Sequence, residues 1–312
     1  MLEMPRRKER RVFKLICPMR MDVAERAVFE LAESLRILGI GGWTLPNIKE
    51  KFVESSDDKL ELGRIGMVTV PEAEIIFDEK FKTKESQKEF EEVLDEQGWE
   101  YPGMERVYKH ELAHLALWSV TKLPQQPVVR LLDEGWATLI EYLGTKEATN
   151  VAELSRRLRI KVKGLNEEMP DVYERCLDLE HPVSERVKED LQGAEYFVGA
   201  ALLLWIYEVK GLEAMIDLLR KSPSTSRRTS TDRVKIFSAL DPKVHAGFAA
   251  YQKGIVEPLR RGELTEEEAI RISEFARKWE AAQFRSALLE VTNFESVAKI
   301  REEFEEWLNN GK

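Results

Sequence analysis

Residues 110–114 read HELAH, and residues 133–141 read DEGWATLIE, so that nineteen residues separate His114 from Glu134. On an α-helix, His110 and His114 stand one turn apart and present their imidazoles to the same point, with Glu111 beside them. The flanking Val107, Tyr108, Leu112, Leu115, Leu117 and Trp118 wrap that helix in apolar side chains, which requires it to be buried. Two imidazoles and a carboxylate on a buried helix need partners, because unpaired buried charge is costly. Any fold for this chain has to bring compensating groups to this helix, and a metal ion is one way to supply them.

The surrounding sequence says where such groups come from. Pro102 and Gly103 precede a helix that runs to about Thr121, Pro124 ends it, and Pro127 sits where the first turn of a second helix accepts proline. Gly144 then follows as a left-handed cap. HELAH and DEGWATLIE thus fall on consecutive helices joined by a short turn. A catalytic zinc usually has three protein ligands and an open fourth position. Asp133, Glu134, Glu141, His181 and His245 are the candidates for the third. An antiparallel helix pair of this length favours Glu134, and Gly135 removes a side chain where the helices approach. Glu141, seven residues on and on the same face, is a candidate to support a zinc-bound histidine, with Thr138 a weaker one. His181 is the reserve ligand.

This pattern resembles the gluzincin metallopeptidases, in particular the peptidase MA-like families, in which HExxH is followed on the next helix by Glu-Gly-x-Ala; here that segment is Glu134-Gly135-Trp136-Ala137. The likeness is close from His110 to about Leu143 and looser over Tyr196 to Leu219, YFVGAALLLWIYEVKGLEAMIDLL. The resemblance implies His110, His114 and Glu134 as ligands of one Zn2+, Glu111 as general base, and Tyr196 as a candidate to stabilise the oxyanion. Tyr196, an aromatic on an apolar helix, also fits a core position. The chain departs from the aminopeptidases with this motif, since GRIGMVTV (63–70) lacks their Glu-Asn, and Asp133 stands where asparagine is often found. The resemblance therefore supports no amino-terminal exopeptidase.

Along the chain, Arg11 to Pro18 reads as a short strand and Asp22 to Leu38 as a helix. Ile65 to Val70 and Ala73 to Asp78 are short β-branched runs divided by Pro71. Glu85 to Gln97 is a charged amphipathic helix. The strand at Ala73 to Asp78 is either an internal strand or one that pairs with an extended peptide substrate. Beyond residue 150 almost everything reads helical, most clearly Glu195 to Val209 and Glu266 to Trp279, with a low-complexity loop at Ser222 to Thr231. The expected class is α+β: a zincin-like catalytic region with a small mixed β-sheet and active-site helix over residues 1–148, then a largely α-helical region over 149–312 that forms the other wall of the cleft.

Composition narrows the partners. A formal net charge of -9 over 312 residues offers no basic field for nucleic acid or anionic lipid. No apolar run reaches the eighteen or so residues a membrane span needs. Cys17 and Cys176 are in no paired spacing, which fits free thiols in a reducing, cytoplasmic setting. The expected activity is zinc-dependent hydrolysis of a peptide or protein substrate. The alternative is a catalytically inactive module of the same type that binds a protein or peptide, for which a glutamate beside the ligands has no use. Substrate, endo- or exo-cleavage and oligomeric state have no signature in the sequence.

Overall fold

The computed structural model of the protein describes residues 15–16, 21–53, 66–69, 74–78, 88, 103–122, 128–178, 191–222 and 265–310. His181, His245, Cys17, the loop after Ser222 and all but one residue of the helix expected at 85–97 lie outside these residues.

The chain divides into two compact units, Met1–Gln125 with Ala137–Leu154, and Gln126–Trp136 with Ser155–Lys312. In the first, α1 (Met21–Ile37) buries Val23, Ala24, Ala27, Leu31 and Leu35 at helical spacing and packs on α2 (Met104–Thr121), which carries HELAH. Four short strands form one sheet: β1 (Leu15–Ile16), β2 (Ile48–Val53), β3 (Gly66–Thr69) and β4 (Glu74–Asp78), in the order β1-β2-β4-β3. The β1–β2 and β2–β4 pairs are parallel and β3–β4 is antiparallel. The sheet meets α2 through β3 and through Phe77, whose ring lies 5.5 Å from that of Tyr108. β4 is flanked on both sides, so the strand-addition reading of Ala73 to Asp78 fails: its ladder is already occupied by β2 and β3.

Helix α3 (Arg130–Tyr142) is continuous, and its second half belongs to the first unit. The end of that half is tied down twice. The Lys109 Nζ, on a side chain with no exposed surface, donates to Leu143 O at 2.7 Å, and Ser34 Oγ of α1 lies 2.5 Å from the same carbonyl. A cation at a helix C-terminus also meets the negative end of the helix dipole. Gly144 follows at φ 76°, the left-handed cap the sequence called for.

The second unit holds the first half of α3 and, among the described residues, six further helices: α4 (Val151–Glu168), α5 (Val172–Leu177), α6 (Leu191–Lys210), α7 (Leu212–Lys221), α8 (Glu266–Thr292) and α9 (Val297–Asn309). Helix α6 is buried from Val198 through Ile206, as a helix apolar on all faces must be. Phe304 of α9 packs 5.5 Å from Trp205 of α6. Glu208 accepts from Trp307 Nε1 at 2.7 Å and from Arg159 at 3.2 Å, tying α4, α6 and α9 together. Where α3 crosses α6, backbone meets backbone: a Cβ on Gly199 would stand 1.9 Å from Leu131 O, and one on Gly135 would stand 2.3 Å from Gly199 C. Cys176 is a buried free thiol. Among the described residues no helix is long and apolar enough to cross a membrane.

The α+β class expected from the sequence, with a zincin-like region built on a mixed sheet, is corrected here. The described residues are mostly helical, and few of them lie in strands. Short β-branched runs signal strand wherever they occur, but fold class is decided by where the buried apolar surface lies. Here it lies overwhelmingly on helices, while the strands have only two to six residues each.

Two stability outcomes follow. Gly199→Ala forces a methyl into the Leu131 carbonyl and is expected to destabilise by about 3 kcal/mol or more. Gly164→Ala, inside α4 with nothing within 4 Å, is expected to stabilise by about 0.5–1 kcal/mol; urea unfolding of the two variants measures both. Burial, opposed by Glu30 and Glu141, holds the Lys109 ammonium down at about 8 from its ordinary 10.5. The unfolded chain then binds the extra proton between those values, so folding carries a penalty below pH 8 that disappears as pH rises towards 10.5. Relative to Lys109→Met, the protein should gain up to roughly 3 kcal/mol of unfolding free energy from pH 7.5 to 10.5, measured by chemical denaturation.

Candidate metal centre

The apolar residues flanking HELAH bury much of α2 and carry Glu111 and His114 into the interior, with His110 partly buried beside them. Glu111 is 7% exposed and His114 9%. The two imidazoles lie edge to face with ring centroids 5.0 Å apart, as residues four apart on a helix should.

Glu141 holds His110 in place. Its Oε2 is 2.8 Å from His110 Nδ1, and its Oε1 accepts from Arg106 Nε at 2.6 Å. Arg106, His110 and His114 are successive turns of one face of α2. The Arg106 guanidinium also lies 3.8 Å over the Tyr142 ring. Burial pushes the Glu141 carboxyl up, but the hydrogen bonds and charges of His110 and Arg106 outweigh it and hold the group below the ordinary carboxylate value. The ionised carboxylate assigns Nδ1 to itself and leaves Nε2 as the nitrogen a metal would take, the arrangement that metal-binding histidines commonly show.

Glu134 lies seven residues before Glu141 on the same face of α3. His110, His114 and Glu134 form a group whose ligand atoms all lie within 4.8 Å of one another, and this group could hold a metal ion. A tetrahedral zinc with bonds of about 2.0–2.1 Å separates its donors by roughly 3.4 Å, so side-chain rotations of about an ångström suffice to close the set. The donors, two imidazoles and one carboxylate, suit zinc. Asp133, the neighbouring candidate, is not in the group. Glu141 has both oxygens committed elsewhere.

Tyr196, on α6, is half-buried, and it acts with Glu134 and Glu195 on the charge of Arg130. Thr138 is 2% exposed, and its Oγ1 has no hydrogen-bond partner among the described residues, so the support of His110 falls to Glu141. Arg106, Lys109, Arg130 and Glu195 were not singled out by the sequence. The available signal was spacing: Arg106 stands four residues before His110 and Arg130 four before Glu134, each a cation one turn ahead of a ligand candidate on its own face.

No family model, curated protein or solved structure matches the chain. What the centre can do rests on its own geometry.

Replacing Glu141 by alanine is expected to weaken the binding of an added metal ion about 10–100-fold while leaving all three donors in place. Thr138→Val should change it by less than about twofold. Competition against a chromophoric chelator measures both affinities.

Proposed function

We propose that the protein is a zinc-dependent metallopeptidase, hydrolysing peptide bonds in a peptide or protein substrate, of the gluzincin, peptidase MA-like type that its sequence resembles between His110 and Leu143. The observation that carries the reading is the His110–His114–Glu134 group with Glu141 fixing His110 from behind. Among the described residues no fourth histidine, cysteine or acidic side chain joins that group. Structural zinc sites usually close with four protein ligands, whereas catalytic sites use three and leave one position open.

The chemistry zinc supplies when bound is Lewis-acid polarisation of a carbonyl and acidification of water. The chain's own residues do the rest. The Glu111 carboxylate, nearly buried beside the two histidines, takes a proton from water and delivers it to the leaving nitrogen. The Tyr196 hydroxyl donates to the developing oxyanion. Arg106 and Glu141 keep His110 in one tautomer and one orientation.

The test is zinc stoichiometry by elemental analysis together with cleavage of an internally quenched peptide library. One zinc per chain is expected in the wild type and in Glu111→Gln, with zinc lost or much weakened in His110→Ala and Glu134→Ala. Peptide cleavage should fall by roughly 100- to 10,000-fold in Glu111→Gln despite full metal. A protein that takes up no zinc even when it is added sinks the reading. One that holds zinc but cleaves no peptide is instead the inactive binding module.

A further inference from the structure

Helix α3 opens with Arg130, one turn ahead of Glu134 on the same face. Its Nε donates to Glu195 Oε2 at 3.1 Å. The two side chains differ sharply in exposure: 38% of Arg130 is open, against 1% of Glu195. Glu195 thus acts as a buried anchor for an arginine whose side chain is more than a third exposed. Among the described residues this is the one hydrogen bond the guanidinium makes, and it uses Nε alone.

The anchor is built by the fold. Gly135 of α3 and Gly199 of α6 put the two backbones in direct contact. Glu195 and Tyr196 lie one turn before Gly199, and Arg130 and Leu131 lie about one turn before Gly135. The crossing therefore fixes Arg130 against Glu195 while Glu134 and Tyr196 both act on its charge.

An arginine tethered through Nε keeps its far edge, Nη1 and Nη2, as a planar fork whose spacing matches the two oxygens of a carboxylate. A buried glutamate that needed only a counter-charge would be served equally by a lysine; the fork adds directional binding. Distance sets what the fork can reach. One helical turn separates Arg130 from Glu134, roughly 5–6 Å along the axis. An extended peptide advances about 3.3 Å per residue. A carboxylate on the fork is then about one or two residues from a carbonyl at the centre beside Glu134.

On the peptidase reading above, we propose that Arg130, held by Glu195, is the substrate-recognition residue of this site. It takes a carboxylate, either the C-terminal one or that of an acidic side chain, one or two residues from the scissile bond.

The test measures binding in zinc-loaded Glu111→Gln protein, where peptides stay intact. Calorimetry compares three short peptides of otherwise equal sequence: one with a free C-terminus, its C-terminal amide, and an amide with glutamate in the last position. The free acid is expected to bind about 10–100-fold more tightly than the plain amide. In Arg130→Gln/Glu195→Gln, where two neutral amides replace the pair and no buried carboxylate is stranded, the preference should fall to within about twofold. Arg130→Lys, which keeps the charge and loses the fork, should retain only part of it. The glutamate amide reports the source: binding like the free acid assigns an acidic side chain as well, and binding like the plain amide assigns the C-terminus alone. Equal binding of free acid and both amides overturns the proposal, as does a preference that survives the double substitution. Because the Arg130–Glu195 pair needs no metal, the same comparison without zinc separates the two failures. A carboxylate preference in a chain that binds no zinc would sink the peptidase reading and leave the carboxylate site standing.

Discussion

The carboxylate of Glu141 holds the centre together. One of its oxygens takes the Nδ1 side of His110 and the other takes the Arg106 guanidinium, so a single ionised group in a nearly closed environment satisfies an imidazole and a cation at once. Inside a protein such hydrogen bonds are stronger than in water, and the loss of any one of them would leave the others poorly compensated. Glu141 can do this only if the end of α3 keeps its position. Lys109 and Ser34 secure that by converging on the Leu143 carbonyl, one from α2 and one from α1. The buried lysine that depresses stability at neutral pH is the same one that holds the supporting glutamate in register.

Once the end of α3 is set, the helix itself carries the arrangement backwards. Seven residues return to the same face, which puts Glu134 in line with Glu141, and four more put Arg130 in line with Glu134. The other half of α3 has its own constraint in the contact of Gly135 with Gly199, where neither helix tolerates a side chain. The sequence marks Gly135 as a point of close approach to the HELAH helix, whereas the backbone it meets is that of Gly199 on α6. Gly199 was not legible as its counterpart, because a glycine in an apolar run such as YFVGAALLLWIY carries no mark of which partner it meets.

The same division runs through the rest of the chain. Helices with clear 3.6 periodicity and glycine or proline at their ends, α1, α2 and α3, were readable with nearly correct limits, because local chemistry terminates them. The ligand candidates were readable because chelation demands fixed spacing along a helix. Fold class is not legible in the same way, because strand signals in the first hundred residues are local and say nothing about how much area the sheet buries. Arg106, Lys109 and Arg130 were missed for a related reason: each is a basic residue in a chain that is 34% charged, and only a packed partner distinguishes a buried cation from a solvated one.

Arg130 illustrates how that partner changes the chemistry. An arginine four residues before a glutamate on one helix face ordinarily bridges to it. A charge-assisted bond of that kind would compete with a metal for the carboxylate. Here the Arg130 hydrogen bond goes to Glu195 on another helix, while Glu134 still feels the positive charge. The hydrogen bond of Arg130 thus draws on Glu195 and not on the carboxylate that could serve a metal. Glu141 is treated in the opposite way: both its oxygens are taken by His110 and Arg106. Two glutamates on one face of one helix are thus sorted into a supporting group and a metal-ligand candidate by which cation reaches each of them and through which atom.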